Sequence, residues 1–168
     1  MVLVWILAAL VLLILALAYI SIARSAMPLE PALAPGDLGE VRDPEYFALQ
    51  EQCFKENGFE KAGDFFWHAG LSSIGMRIFR ATTGEAYGWA YEEALAGTTT
   101  ARHSVSILSE FTDGTMLDTT STSQASLLDP PWFHRETGPP DTELLLRRHG
   151  ERRARFVAEG RAAVLFGL

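Results

Sequence analysis

Four histidines, His68, His103, His134 and His149, are the side chains best suited to ligate a metal or move a proton near neutral pH. A zinc site built on one helix needs ligands in a pattern such as H-x-x-x-H, usually with cysteine or carboxylate partners. None of the four stands in that spacing, and Cys53 is the sole cysteine. Neither a thiolate metal site nor an intrachain disulfide can be assembled, so the sequence implies no cofactor. For acid–base chemistry the pairings on offer are His103 with Asp113 or Asp118 across a hairpin, and His68 with Asp64 along a strand. Any strand pair supplies such combinations, and the chain carries no catalytic signature beyond them.

Gly70-Leu71-Ser72-Ser73-Ile74-Gly75 departs from G-x-S-x-G and follows no strand-to-helix elbow, so it is expected to be a plain loop. Gly-rich phosphate-binding patterns are absent. Two interaction surfaces remain. Arg147, Arg148, Arg152, Arg153 and Arg155 fall on one expected helix, where they would meet anionic lipid headgroups or a protein partner. Phe65, Trp67, Tyr87 and Trp89 would enclose a small ligand if they lined a pocket, and fill a core if they did not.

These candidates need elements to hold them, and the strongest element precedes them all. From Val2 to Ala23 no residue is charged and nearly every position is Leu, Ile, Val or Ala. A helix of that length reaches ~33 Å, enough to cross a hydrocarbon core of ~30 Å. A cleaved signal is the competing expectation, but no Lys or Arg precedes the run and it exceeds the ~7–15 residues of a signal core. Residues 1–23 are thus expected to form a single transmembrane anchor. Arg24 follows the span, a charge bias that favours a cytoplasmic location for the remainder. Residues 24–42, with Pro28, Pro31, Pro35, Gly36 and Gly39, have the composition of a linker. Residues 43–168 are then left for one domain.

The formal charge of −7 lies wholly outside the span and argues against general nucleic-acid binding. It is unevenly spread: Glu30 to Glu93 holds twelve acids and five bases, and Arg147 to Arg161 six arginines and two glutamates. Twelve arginines against two lysines, with Asn57 the sole asparagine, fit the coding bias of a GC-rich bacterial genome.

Asp43-Pro44 predicts a helix start, with Tyr46, Leu49, Cys53 and Phe54 as its buried face and Asn57-Gly58 as its stop. Five strands follow: Phe59 to His68, Met76 to Ala81, Glu85 to Glu92, Ala101 to Phe111 and Thr115 to Thr122. In the third, Tyr87, Trp89 and Tyr91 alternate with Ala86, Gly88 and Ala90, whose small side is expected to pack closely on a neighbour. Asp113-Gly114 predicts a hairpin, and short connections make neighbouring strands antiparallel. Ser123 to Pro140 is expected to be irregular, with Trp132 and Phe133 tethering it to the core. A last helix opens at Asp141 or Thr142, and the apolar ending after it suggests a docked tail. Together these elements predict an α+β domain: an antiparallel sheet of about five strands, flanked by an N-terminal and a C-terminal helix.

The ordered set Leu49, Asn57-Gly58-Phe59, Gly63-Asp64-Phe65, Leu108 to Thr115, Thr119-Thr120, Asp129-Pro130-Pro131 and His149 resembles a loosely defined group of uncharacterised bacterial membrane-anchored proteins. The resemblance covers approximately Pro44 to His149. It implies a bacterial, membrane-tethered α+β protein and carries no catalytic residue. The expected partners are therefore the lipid bilayer and a protein, with no nucleic acid. A noncatalytic binding module is the first expectation, a tethered enzyme with a His/Asp site the second, and a small-ligand domain the third.

Overall fold

Asp43 opens the first helix as its spacing predicts: its carboxylate accepts the Tyr46 N–H at 2.9 Å, Pro44 occupies the first turn and Glu45 complements the helix dipole. This computed structural model describes residue 38 and residues 41–69, 71–122 and 129–166. The expected anchor, most of the linker and part of the 123–140 connection lie outside the described residues. Among the described residues, no helix is long and apolar enough to cross a membrane.

Helix α1 spans Pro44–Glu56, ends at Asn57 and is released by Gly58 at a φ of +82°, a left-handed conformation that favours glycine. Six strands follow: β1 Phe59–Ala69, β2 Ser72–Ala81, β3 Tyr87–Leu95, β4 Ala101–Glu110, β5 Met116–Thr120 and β6 Phe133–Thr137. Helix α2, Thr142–Ala158, is capped by the Asp141 carboxylate, which accepts the Leu144 N–H at 3.0 Å. The strands lie in chain order, each of the first four antiparallel to the next, and β6 runs parallel to β5. The architecture is therefore α+β with a mixed six-stranded sheet. Both described helices lie on one face of it.

Three expectations need correction. The sixth strand falls within a stretch expected to be irregular; Pro130 and Pro131 precede it and Pro139 and Pro140 follow it, so the prolines bracket the strand without interrupting it. The connection back from β5 is a dozen residues long, which is what a parallel return requires. Phe133 in that strand is half-buried while Trp132 before it is 50% exposed, so only the former is held. Second, Ser72 to Gly75 belong to β2 rather than to a loop. A Cβ on Gly75 would lie 2.4 Å from Val41 Cγ1, so this glycine answers to close packing and not to a turn. Third, α1 buries Phe47, Gln50 and Phe54, while Tyr46 and Cys53 flank the core and Leu49 is 63% exposed. The helix is rotated because Phe47 and Phe54 seat on the glycine-bearing surface of β2 and β3.

The small-residue side of β3 is buried, with Gly88, Ala90, Glu92 and Ala94 turned toward the helices and Tyr87, Trp89 and Tyr91 turned away. Phe54 stacks on Phe79 with ring centroids 4.2 Å apart and meets Phe59 edge-on at 5.2 Å. Ile107, Val105, Leu145 and Leu146 complete this core. The Asp113-Gly114 hairpin forms, with the Phe111 N–H donating to the Thr115 carbonyl at 2.9 Å and Gly114 at a φ of +80°. Beyond α2 the tail docks: Ala163 bridges Phe111, and the Phe166 N–H donates to the Gly84 carbonyl at 2.8 Å.

Candidate functional site

His149 sits about two turns into α2, on the side that Leu145 and Leu146 bury. Its ring reaches two hydroxyls of the sheet, Ser109 Oγ at 2.9 Å from Nε2 and Thr119 Oγ1 at 3.1 Å from Nδ1. A serine, a histidine and a third polar group in a row have the outline of a nucleophilic triad, and proton counting decides whether they work as one. Ser109 donates its hydroxyl proton to the Glu85 carbonyl at 2.9 Å. Its oxygen is thus left to accept, which makes His149 Nε2 the donor. At the other end Arg152 donates to Thr119 Oγ1 at 3.0 Å, so the threonine proton turns to Nδ1. The chain of donors runs Arg152, Thr119, His149, Ser109, Glu85 carbonyl, and every lone pair it needs is filled.

In that tautomer His149 cannot take the Ser109 proton, and Ser109 is fully buried. Burial, followed by the nearby guanidiniums of Arg152 and Arg153, pushes the His149 pKa down to about 3. A base that weak does not activate serine at neutral pH. The relay therefore joins α2 to β4 and β5. A cleft of about 330 Å³ opens beside it, lined among others by Asn57, Thr82, Glu85, Arg147, His149 and Arg153.

The five arginines of α2 divide by what they touch. Arg152 turns inward: it donates to the carbonyls of Asp118 at 2.8 Å and His134 at 3.0 Å and to Thr119, and pairs with Glu136 at 3.0 Å. Arg153 pairs with Glu85 and Arg148 lies 3.7 Å from Glu136. Arg147 and Arg155 are exposed and form no ion pair among the described residues. So the cluster is partly a fastening for α2, with two arginines left facing water.

His103 meets neither of the aspartates that sequence spacing offered. Strand register places it with Glu92, on the helix side, whereas Asp118 pairs with Leu108 on the opposite side. Asp113 is at the hairpin tip, 3.3 Å from Arg161, and the Thr115 N–H and that guanidinium hold its carboxyl below the usual range. Asp118 is buried against Arg135, with Nε to Oδ2 at 2.8 Å, and burial raises its pKa; its Oδ1 is the one buried side-chain atom without a hydrogen bond among the described residues. Asp64 and His68 are four residues apart on an extended strand, about 13 Å. Asp64 is instead held by Arg77 at 2.7 Å and Lys61 at 2.6 Å.

What surrounds His103 was not visible in the sequence as a cluster. Its ring stacks on Tyr46 at 4.1 Å, and Nε2 lies 3.4 Å from Glu92 and 3.6 Å from Asp43. Glu92 is buried and accepts the backbone N–H groups of Arg42 at 2.8 Å and Asp43 at 2.9 Å. A charge on the small-residue side of β3 was the available signal, since a buried carboxylate must find donors. This cluster fixes the point at which the chain enters the domain. Cys53 does not add chemistry: burial, and then Glu143, Glu56 and Asp141, raise its thiol pKa, the opposite of what a nucleophile needs.

Phe65, Tyr87 and Trp89 share the sheet face that the helices leave alone. Register sets Phe65 beside Met76 and Tyr91, and Ile78 beside Trp89, while Trp67 pairs with Ile74. Phe65, Met76, Ile78, Tyr87, Trp89 and Tyr91 are all half-buried. They form a band on the face that neither described helix covers, at whose margin Phe166 touches Tyr87 at 4.6 Å. Among the described residues no group of three or more His, Cys, Asp or Glu is placed to hold a metal ion. No family model, curated protein or solved structure matches the chain.

Proposed function

We propose that the chain is a single-pass membrane-tethered, noncatalytic binding module whose partner is a protein, held by the sheet face opposite the helices. The carrying observation is the band Phe65, Met76, Ile78, Tyr87, Trp89 and Tyr91: contiguous across three strands, with four aromatics and a methionine among its six side chains, and partly exposed. Aromatic residues and methionine are the types enriched where proteins meet, because they bury a large area for little lost side-chain freedom. The polar clusters support the noncatalytic half of the reading. His149, Ser109, Thr119 and Arg152 are committed to one another, and Glu92 to the backbone. The sheet is favoured over the arginine helix because Arg148, Arg152 and Arg153 are engaged within the domain. On the charge bias at Arg24, the domain belongs on the cytoplasmic side.

A photoreactive amino acid at Tyr91 in the full chain, irradiated in its own host, is expected to give a discrete covalent adduct. The same group at Val157, exposed on α2, is expected to give none. An absent adduct at Tyr91, or identical adducts from both sites, would overturn the assignment of the sheet face.

A further inference from the structure

The chain that leads out of the expected anchor enters the domain at one end of the sheet. Leu38 and Val41 pack over Gly75, and the Val41 N–H donates to the Leu38 carbonyl at 2.9 Å. The next residue, Arg42, reaches into the β3–β4 turn, where its guanidinium donates to the carbonyls of Leu95, at 3.0 Å, and Thr98. The point of entry is thus bonded to the loops at that end. Between Ala23 and Leu38 lie residues 24–37, a length of chain that reaches about 50 Å at most. The end carrying Arg42 therefore cannot stray far from a bilayer that holds residues 1–23.

That same end presents the most exposed large apolar side chain among the described residues, Leu71 at 79%, and Leu95 at 47%. The two are neighbours. The Ala96 N–H donates to the Leu71 carbonyl at 2.7 Å, and Leu95 is register partner to Ser72, so the β1–β2 tip and the β3–β4 turn form one ledge. Uncharged Thr98, Thr99 and Thr100 continue it, with Arg42 and Arg102 at its border. The far end of the sheet has Asp113 at its hairpin tip.

We infer that this ledge docks on the lipid surface, with Leu71 and Leu95 entering the boundary between headgroups and acyl chains. The inference rests on the reading of residues 1–23 as an anchor. Two leucines would hold a free domain to lipid only weakly; a tether ending beside them turns docking into an intramolecular step at high effective concentration. The sheet then stands upright on the membrane, and the band around Trp89 faces sideways, open to a partner in the same plane.

The test uses the full chain with Cys53→Ser, reconstituted in vesicles of phosphatidylethanolamine and phosphatidylglycerol containing a shallow nitroxide lipid. An environment-sensitive fluorophore is placed at Leu71→Cys or, as the distant site, at Asp113→Cys. The expected result is blue-shifted emission and several-fold stronger quenching at position 71 than at 113. Adding Leu95→Asp to the position 71 sample should cut that quenching by half or more. Equal quenching at the two sites in vesicles that float with the protein would overturn the docking while leaving the anchor in place. So would quenching at position 71 that Leu95→Asp leaves unchanged. Protein that fails to float with the vesicles would remove the anchor, and the docking with it.

Discussion

Gly88→Ala is expected to cost about 3 kcal/mol of folding stability, the upper part of the range for overpacking a filled core. A Cβ at this position would lie 2.2 Å from Phe54 Cε1 and 2.7 Å from Cζ. Phe54 has no room to yield, being fully buried and stacked on Phe79. For a domain whose whole stability is about 5–15 kcal/mol, that loss is large, and it should lower Tm by roughly 10 °C. Phe54→Leu alone opens a cavity and destabilises as well. Combined, the two should be less harmful than their sum by about 1–2 kcal/mol, because the smaller side chain vacates the space the new methyl needs. Denaturant titration of the four proteins measures the cycle. Strict additivity would mean that α1 does not seat Phe54 on β3.

His149 should make the domain sensitive to acid in a defined window. Its pKa is about 3 in the folded chain against an ordinary value of 6.5. Between those values the unfolded chain binds a proton that the folded chain refuses, so unfolding is favoured as pH falls. The contribution is complete above pH ~6.5 and declines toward pH ~3, with a slope approaching 1.4 kcal/mol per unit for this one site. Asp64 and Asp113, with lowered pKa values, add loss of the same sign at the acid end, and Asp118, with a raised one, opposes it. The difference between wild type and His149→Gln isolates the histidine. The variant should be less stable at pH 7 by about 1–3 kcal/mol, since Ser109 and Thr119 lose a matched partner, and the gap should narrow as pH drops toward 4. A gap independent of pH would show that His149 does not stay neutral in the fold.

What sequence revealed and what it hid follow one physical division. Asp43-Pro44, Asn57-Gly58, Asp113-Gly114 and Asp141 act on their own backbone within a few residues, and each lies where its chemistry predicts. The alternation in β3 was equally plain, because burial on one side of a strand writes itself at every second position. Gly75 misled, since a glycine required by Val41 and Phe47 looks the same in sequence as one required by a turn. The strand β6 was hidden by its bracketing prolines, and its pairing partner lies a dozen residues upstream. The polar relay could not be seen at all: Ser109, Thr119 and His149 are brought together by the β4–β5 pairing and the docking of α2. The arginine cluster was visible as charge, but sequence could not say that Arg152 would turn inward.

Tethering to a membrane underlies both the proposed function and the lipid-facing ledge, and alkaline carbonate extraction of membranes from cells making the full chain tests it. The chain should remain in the pellet, as a helix of uncharged residues from Val2 to Ala23 crossing the bilayer requires. Full-length chain released into the supernatant with its N-terminus intact would mean that this segment does not span the bilayer.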